Sequence, residues 1–254
     1  MAKTALITGA SSGLGAECAR QLAERGMDLV LVARDADALA ALAADLTTAH
    51  GVRCEPLAAD LLDPEGLAAV VGRLGDEERP VDMLINNAGF GLPLAFETND
   101  IADEQRHLSL HVAVPMALMR AALPGMLARH RGRIVNVASV AAFTPRSTYG
   151  AVKGWLISFS RWANVEYGPR GVTVTAVCPG FTHTNFHERM GMEPGREGVP
   201  GWMWLDARDV VADSLRDVAR GKSVSVPSLR YKALVALTRL LPDRVVVAVA
   251  SRGR

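Results

Sequence analysis

Cysteine is scarce: Cys18, Cys54 and Cys178 are the only three in 254 residues. An odd number without metal-ligand spacing argues against a disulfide framework and for a reducing compartment, and all three read as small buried apolar residues. Excess charge is missing as well. With 28 basic and 27 acidic residues the formal net charge is +1, which leaves no electrostatic footprint for nucleic acid and points to small molecules or other proteins as partners. Apolar runs fall short of the ~18 residues of a membrane span. The first residues, Met1 to Thr4, pass into a strand pattern without the apolar stretch of a signal peptide, so a cytoplasmic location is expected. Internal repeats and long low-complexity segments are absent, although 36–49 is alanine-rich at helical spacing.

What is present is a globular composition, 49% apolar and 22% charged, at a length common for a single α/β domain. Short apolar runs alternate with amphipathic ones, the pattern of βαβ units feeding a parallel sheet. Strands are expected at 4–8, 28–33, 52–58, 83–86, 133–138, 173–178 and 223–226, with helices near 14–25, 36–49, 64–74, 100–123, 149–166 and 207–219. Seven strands and six helices in alternation give one doubly wound α/β domain, spanning 1–228, with a ligand at the carboxyl edge of its seven-stranded parallel sheet. Two segments break the rhythm. Residues 185–205 carry Pro194, Gly195, Gly198, Pro200 and Gly201 ahead of Trp202, Met203 and Trp204, and are expected to form a substrate lid. Residues 229–254 are apolar and arginine-studded, and suit a packed C-terminal helical extension, an oligomer contact or a membrane-surface contact with Arg230, Lys232, Arg239 and Arg244 as its basic side.

The first strand ends in TGASSGLG, Thr8 to Gly15, and runs into the helix AECARQLAERG. Gly9 would permit a tight turn, Gly13 a close backbone approach to a diphosphate and Gly15 close helix packing, with the positive helix end facing the anion. At the end of the second strand, where an acid would bind a ribose 2′-hydroxyl, the sequence places Ala33 and Arg34. A guanidinium suits a 2′-phosphate and so favours NADP(H), although Arg34 could also be a solvated residue partnered by Asp35 or Asp37.

Tyr149 and Lys153 stand four apart on one helix face, in a chain with four lysines against 24 arginines. An ammonium at ~4 Å would favour the phenolate by ~4 kcal/mol, an upper value, bringing the phenol's pKa toward neutrality. Ser139 follows a strand on the ligand edge ten residues earlier and could hold a carbonyl oxygen while the tyrosine gives up its proton.

TGASSGLG, Asp60, NNAG at Asn86 to Gly89, Ser139, the YxxxK pair and PGFTHT at Pro179 to Thr184 together resemble the classical short-chain dehydrogenases/reductases over residues 4 to about 226. The resemblance implies a Rossmann fold and an oxidoreductase, with Tyr149 as general acid/base, Lys153 as its pKa modulator and ribose ligand, and Ser139 orienting the substrate. It further assigns the cofactor to Gly9, Ser11, Ser12, Gly13, Leu14 and Gly15, with Arg34, Asp60, Leu61, Asn87, Ala88, Gly89, Tyr149, Lys153, Pro179, Gly180, Thr182 and Thr184. Self-association into a dimer or tetramer through helices 100–123 and 149–166 is implied too. Read alone, Asp60 suits a helix N-cap and Asn86 and Asn87 suit turn formers.

Three features depart from the family pattern. His111 stands where an asparagine usually supports a proton-relay water; it could still bond a backbone carbonyl and a water, and its pKa near 6.5 could add pH dependence. The spacing from Ser139 to Tyr149 is short, and VPSLRYKALVALTRLL replaces the usual ending. His107 with His111 and His183 with His187 have i, i+4 spacing but no convincing third ligand, so no metal is expected.

Tyr149 is thus expected to protonate a ketone or aldehyde as hydride arrives from NADPH, or to run the reverse on an alcohol. Phe181, Phe186, Met190, Met192, Trp202, Met203 and Trp204 favour a bulky apolar substrate of steroid, acyl or other lipid type, unless the tryptophans simply anchor the loop. A cofactor-binding sensor or scaffold with little catalysis is the alternative, motivated by His111 and the tail.

Overall fold

The computed structural model describes residues 3–184, 199–238 and 240–250. Strands β1 (Thr4–Thr8), β2 (Asp28–Ala33), β3 (Cys54–Ala58), β4 (Met83–Asn86), β5 (Gly132–Val137), β6 (Val172–Val177) and β7 (Val224–Ser225) form one parallel sheet in the order β3-β2-β1-β4-β5-β6-β7. Around it run α1 (Gly13–Ala23), α2 (Ala36–His50), α3 (Pro64–Leu74), α4 (Ile101–Leu108), α5 (Val114–Ala128), α6 (Thr148–Tyr167), α7 (Ala207–Ala219), α8 (Leu229–Thr238) and α9 (Asp243–Ala250). This is the expected doubly wound α/β architecture of Rossmann type.

The central strands are apolar on both faces because both are covered. Along β1, Ile7 joins the core under α1 and α2 with Leu22, Leu31 and Leu39, while its neighbour Leu6 joins the core on the other side with Val30, Leu84 and Met119. That alternation is the period of two of a strand, and it reads as continuous hydrophobicity only because water reaches neither side. At the sheet's outer edge β3 starts at Cys54 rather than Val52, and Cys54 is half-buried, unlike the fully buried Cys18 and Cys178. Burial pushes both of those thiols up to about 12, so they behave as apolar packing.

The helix expected over 100–123 is a continuous helical stretch to Ala128 with a π-turn at Ser109–Ala113. Pro115 has no N–H for the carbonyl four residues back, and the ladder widens so that the Val114 N–H bonds Ser109 O. By length and composition alone Ile101–Ala128 would suffice to cross a membrane, although Ser109, His111 and Arg120 keep any uninterrupted apolar run in it short of a span. Here its apolar side, including Leu118, Met119, Ala122 and Met126, is core. Asp63, with Pro64 behind it, caps α3 by accepting from Gly66 N at 2.9 Å; Asp60, expected as a cap, accepts instead from Leu62 N at 2.9 Å. The tail is packed: Tyr231, Val235 and Val246 are buried while Arg230, Lys232 and Arg244 are exposed, and Arg239 and 251–254 lie outside the described residues.

Strand order reverses between β1 and β4, which opens a crevice at their carboxyl ends. The glycine turn enters there. Gly9 holds φ +66°, and a Cβ on Gly15 would stand 2.1 Å from the Gly9 carbonyl oxygen. Gly15→Ala should therefore cost about 3 kcal/mol or more in urea unfolding. Gly72→Ala, in exposed α3 with nothing within 4 Å of the new methyl, should instead stabilise by roughly 0.5–1 kcal/mol.

Candidate active site

The site is assembled from loops that leave the carboxyl ends of the strands. Thr8, the last residue of β1, fastens the turn after β4: its Oγ1 accepts from Asn87 N and Ala88 N, each at 3.0 Å, and donates to Ile85 O at 3.3 Å. The Asn87 amide returns the contact, donating to Thr8 O at 2.9 Å and Gly9 O at 3.2 Å. Asn87 thus shapes the glycine turn with its side chain, beyond the turn-forming role its position suggested. Asn86 instead points inward, donating to Asn136 at 2.8 Å, and Asn136 donates in turn to Ser160 at 2.9 Å, tying β4, β5 and α6 together.

Ser139 ends the β5 turn, accepting from Ala141 N at 3.1 Å, and its side chain hydrogen-bonds the Tyr149 phenol. Tyr149 lies in the first turn of α6, capped by Ser147, which accepts from Gly150 N at 3.1 Å. One turn on, buried Lys153 donates to Val137 O at 2.7 Å, with Nζ 5.5 Å from the centre of the Tyr149 ring. The three expected groups meet, but their electrostatics differ from the sequence expectation. Burial pushes the phenol up to about 12, with the Ser139 hydrogen bond opposing it, and burial pulls the Lys153 amine down to about 7. The amine is anchored on a carbonyl and removed from water, so desolvation outweighs the attraction expected to acidify the phenol.

His111 sits on the π-turn, 1% exposed, beneath the NNAG turn. A Cβ on Gly89 would stand 2.4 Å from its ring, and Nε2 contacts Phe90 O at 2.8 Å. The expected backbone-carbonyl contact is present. The expected titration near 6.5 is not: burial, then the nearby Lys153 and His107, hold His111 well below it. In sequence His107 reads only as half of a metal pair, yet its ring lies 4.4 Å from His111 and 5.9 Å from Tyr149, and burial lowers its pKa to about 4. Only the spacing of the two histidines signalled it. His187, the partner suggested for His183, lies outside the described residues.

The other expected cofactor positions fall along the same edge. Arg34 follows β2, is exposed and has no ion pair with Asp35 or Asp37 or any other described residue, while Asp35 caps α2 by accepting from Ala38 N at 3.0 Å. Asp60 and Leu61 follow β3, and Leu61 is buried in the core. Leu14 likewise packs inward. Thr182 and Thr184 come across the crevice: a Cβ on Gly13 would stand 3.4 Å from the Thr184 Cβ, and Thr182 bridges Leu205. Ser11 and Ser12 complete the turn between Gly9 and Gly13, with Ser12 extended ahead of α1, and Pro179 O accepts from Val140 N at 3.0 Å. Of the expected lid, Phe186, Met190 and Met192 lie outside the described residues, whereas Trp204 stacks on His183 at 4.8 Å and Trp202 is exposed. A turn whose glycines at 9 and 15 leave no side chain between strand and helix, a helix start without a side-chain cap bond and an exposed cation after β2 fit a dinucleotide.

A parallel doubly wound sheet with a Ser-Tyr-Lys group beside its glycine turn defines a nucleotide-dependent oxidoreductase. The short chain dehydrogenase family matches residues 3–194, and the chain belongs to that family. It is 34% identical to oxidoreductase UcpA of Escherichia coli (strain K12) over 201 residues, 77% of this chain and 75% of that protein. Among solved structures it is similar to a short-chain dehydrogenase from Sphingobium yanoikuyae in complex with NADPH, at 38% identity and TM-score 0.85, covering 93% of this chain and 94% of that one. It is also similar to the bulky-bulky ketone specific alcohol dehydrogenase from Comamonas testosteroni, at 33% identity and TM-score 0.79, covering 99% and 95%.

The buried amine carries a pH signature. In the native chain Lys153 releases its proton near 7, whereas the unfolded chain keeps it to about 10.5. Between these values the unfolded state binds more protons, so raising pH favours the native state, by at most ~1.4 kcal/mol per unit. Urea unfolding of the ligand-free protein should show wild type gaining stability relative to Lys153→Met from pH 7 to 10. A difference that stays flat means the amine titrates as in water.

Proposed function

We propose that this chain is an NADP(H)-dependent carbonyl reductase of apolar ketones or aldehydes, reversible toward the alcohol. The observation that carries this is the phenol of Tyr149, bonded to Ser139 and beside the Lys153 amine, on the same sheet edge as the glycine turn. The turn from Gly9 to Gly15, with Ser11, Ser12 and Leu14, would hold the diphosphate, Arg34 the 2′-phosphate, and Asp60 and Leu61 the adenine. Asn87, Ala88 and Gly89 would line the middle of the cofactor, and Pro179, Gly180, Thr182 and Thr184 its nicotinamide end. Bound there, NADPH supplies the hydride. The NADPH complex of the Sphingobium relative supports this cofactor choice.

Ser139 positions the carbonyl oxygen and Tyr149 gives up its proton to it. With the phenol pushed up to about 12, the proton-donating form persists at neutral pH. As phenolate develops, the Lys153 amine, whose Nζ lies 5.5 Å from the centre of the Tyr149 ring, favours it whenever the amine carries its proton, so the amine acts on the charge that forms during reaction. His111 holds Phe90 and supports Gly89 as a neutral positioning group. Phe181, Met203 and Trp204 beside the site support an apolar substrate, as does the ketone specificity named for the Comamonas relative. The segment 185–205 is assigned as the substrate loop and 229–254 as a C-terminal extension. Self-association along 101–128 and α6, into a dimer or tetramer, is supported by Met116, Trp162 and Val165, which stand exposed there.

NADPH oxidation against a carbonyl panel tests the proposal. Bulky apolar ketones should turn over fastest, and Tyr149→Phe should lower kcat/KM by about 10³-fold with NADPH affinity within about twofold of wild type. A wild type that binds NADPH and reduces nothing in the panel points to the sensor instead, and fastest turnover of small sugars removes the apolar assignment. Arg34→Glu should weaken NADPH binding by roughly tenfold or more while sparing NADH, measured by fluorescence titration.

A further inference from the structure

Tyr231 lies in α8, beyond the stretch that carries the family motifs. It is 2% exposed, and its hydroxyl joins two separate pieces of chain: it accepts from Phe181 N at 3.1 Å and donates to Met203 O at 2.8 Å. Phe181 leaves the site after β6 and Met203 returns toward α7, so one phenol spans the two stems of the substrate loop. The stems are zipped beside it by Leu205 N to Phe181 O at 2.8 Å and His183 N to Leu205 O at 3.0 Å. Neighbouring Arg230 donates to Trp202 O. Gly180 is shaped for the ring, since a Cβ there would stand 2.1 Å from it.

The apolar cluster around Tyr231 also takes in Leu14 from the start of α1 and Val140, which directly follows Ser139. One buried side chain therefore touches a packing unit shared by the diphosphate turn, the serine turn and both loop stems. A buried hydroxyl with both hydrogen bonds satisfied fixes two main-chain positions, which aliphatic packing alone leaves free to slide.

We propose that Tyr231 is a positioning residue for this site: its hydroxyl sets the register of stem 181–184 against stem 202–205, and thereby the placement of Thr182 and Thr184 toward cofactor and of Trp204 toward substrate. This rests on the carbonyl-reductase assignment for its substrate side only. Tyr231→Phe keeps the ring that fills the space at Gly180 and removes the hydroxyl. The expected result is a fivefold or greater rise in KM for the preferred ketone and in the NADPH dissociation constant, with kcat within about threefold and the pH profile of kcat unchanged. Leu234→Ala, in the same cluster without a bond to either stem, should match its loss in Tm yet leave both constants within twofold of wild type. Arg230→Ala, at an exposed position that does not threaten folding, should raise KM two- to threefold. Unchanged constants in both Tyr231→Phe and Arg230→Ala, or an equal rise in Leu234→Ala, overturn the proposal. Should wild type reduce no ketone, the functional assignment fails, and the NADPH dissociation constants of the same variants still decide the role of Tyr231.

Discussion

The crevice depends on how the chain is held where β1 and β4 diverge. Two adjacent parallel strands whose crossovers go to opposite sides leave a gap between their outgoing loops, and nothing in the sheet ladder fixes its width. Thr8 and Asn87 fix it, the first by a hydroxyl shared among three main-chain groups and the second by an amide shared between two carbonyls. Gly15 can then pack against Gly9 with no side chain between them. Each contact requires the other: a wider gap loses the amide bonds, and a bulkier glycine position forces the gap open.

On the substrate side the governing balance is between solvation and Coulomb attraction. A phenol and an amine brought together in water lower the proton affinity of the phenol, but at a site that excludes water each group resists its charged form. Tyr149 and Lys153 are both shifted toward neutrality. At neutral pH the phenol therefore keeps its proton while the amine stands between its charged and neutral forms, which suits a tyrosine that must first hold a proton and then part with it.

Much of this was legible in the linear sequence, and the failures have physical causes. β1, β2 and β4 have the bounds expected from their apolar runs, because both faces of these strands are covered and their runs are short and nearly continuous. Edge strands β3 and β7 are shorter than the expected 52–58 and 223–226, since each pairs on one side only and its ends have fewer ladder bonds to hold them. The site residues Ser139, Tyr149 and Lys153 were found by spacing, and the structure brings them together. Their proton affinities were not, because desolvation depends on what surrounds Lys153 and that is set by β5 and β6, far away in sequence. Asp63, directly before Pro64, is the cap that the expected helix start at 64 already implies, and Asp60 stands three residues too early. The π-turn left no trace in a 3.6-residue period, and Tyr231 had no motif to announce it.

That π-turn carries a consequence of its own. A π-turn is an α-helix with one surplus residue, and each residue advances a helix by about 100° of rotation. Helix 101–128 therefore has two angular frames, one set by α4 and one by α5, and His111 lies at the seam. Loss of a single residue at that seam would let the stretch close as regular α-helix with both apolar faces kept toward their partners, whereas the same loss elsewhere in 101–128 would turn one face away by about 100°. The seam is therefore the one place in this helix where its length can change without disturbing the packing on either side.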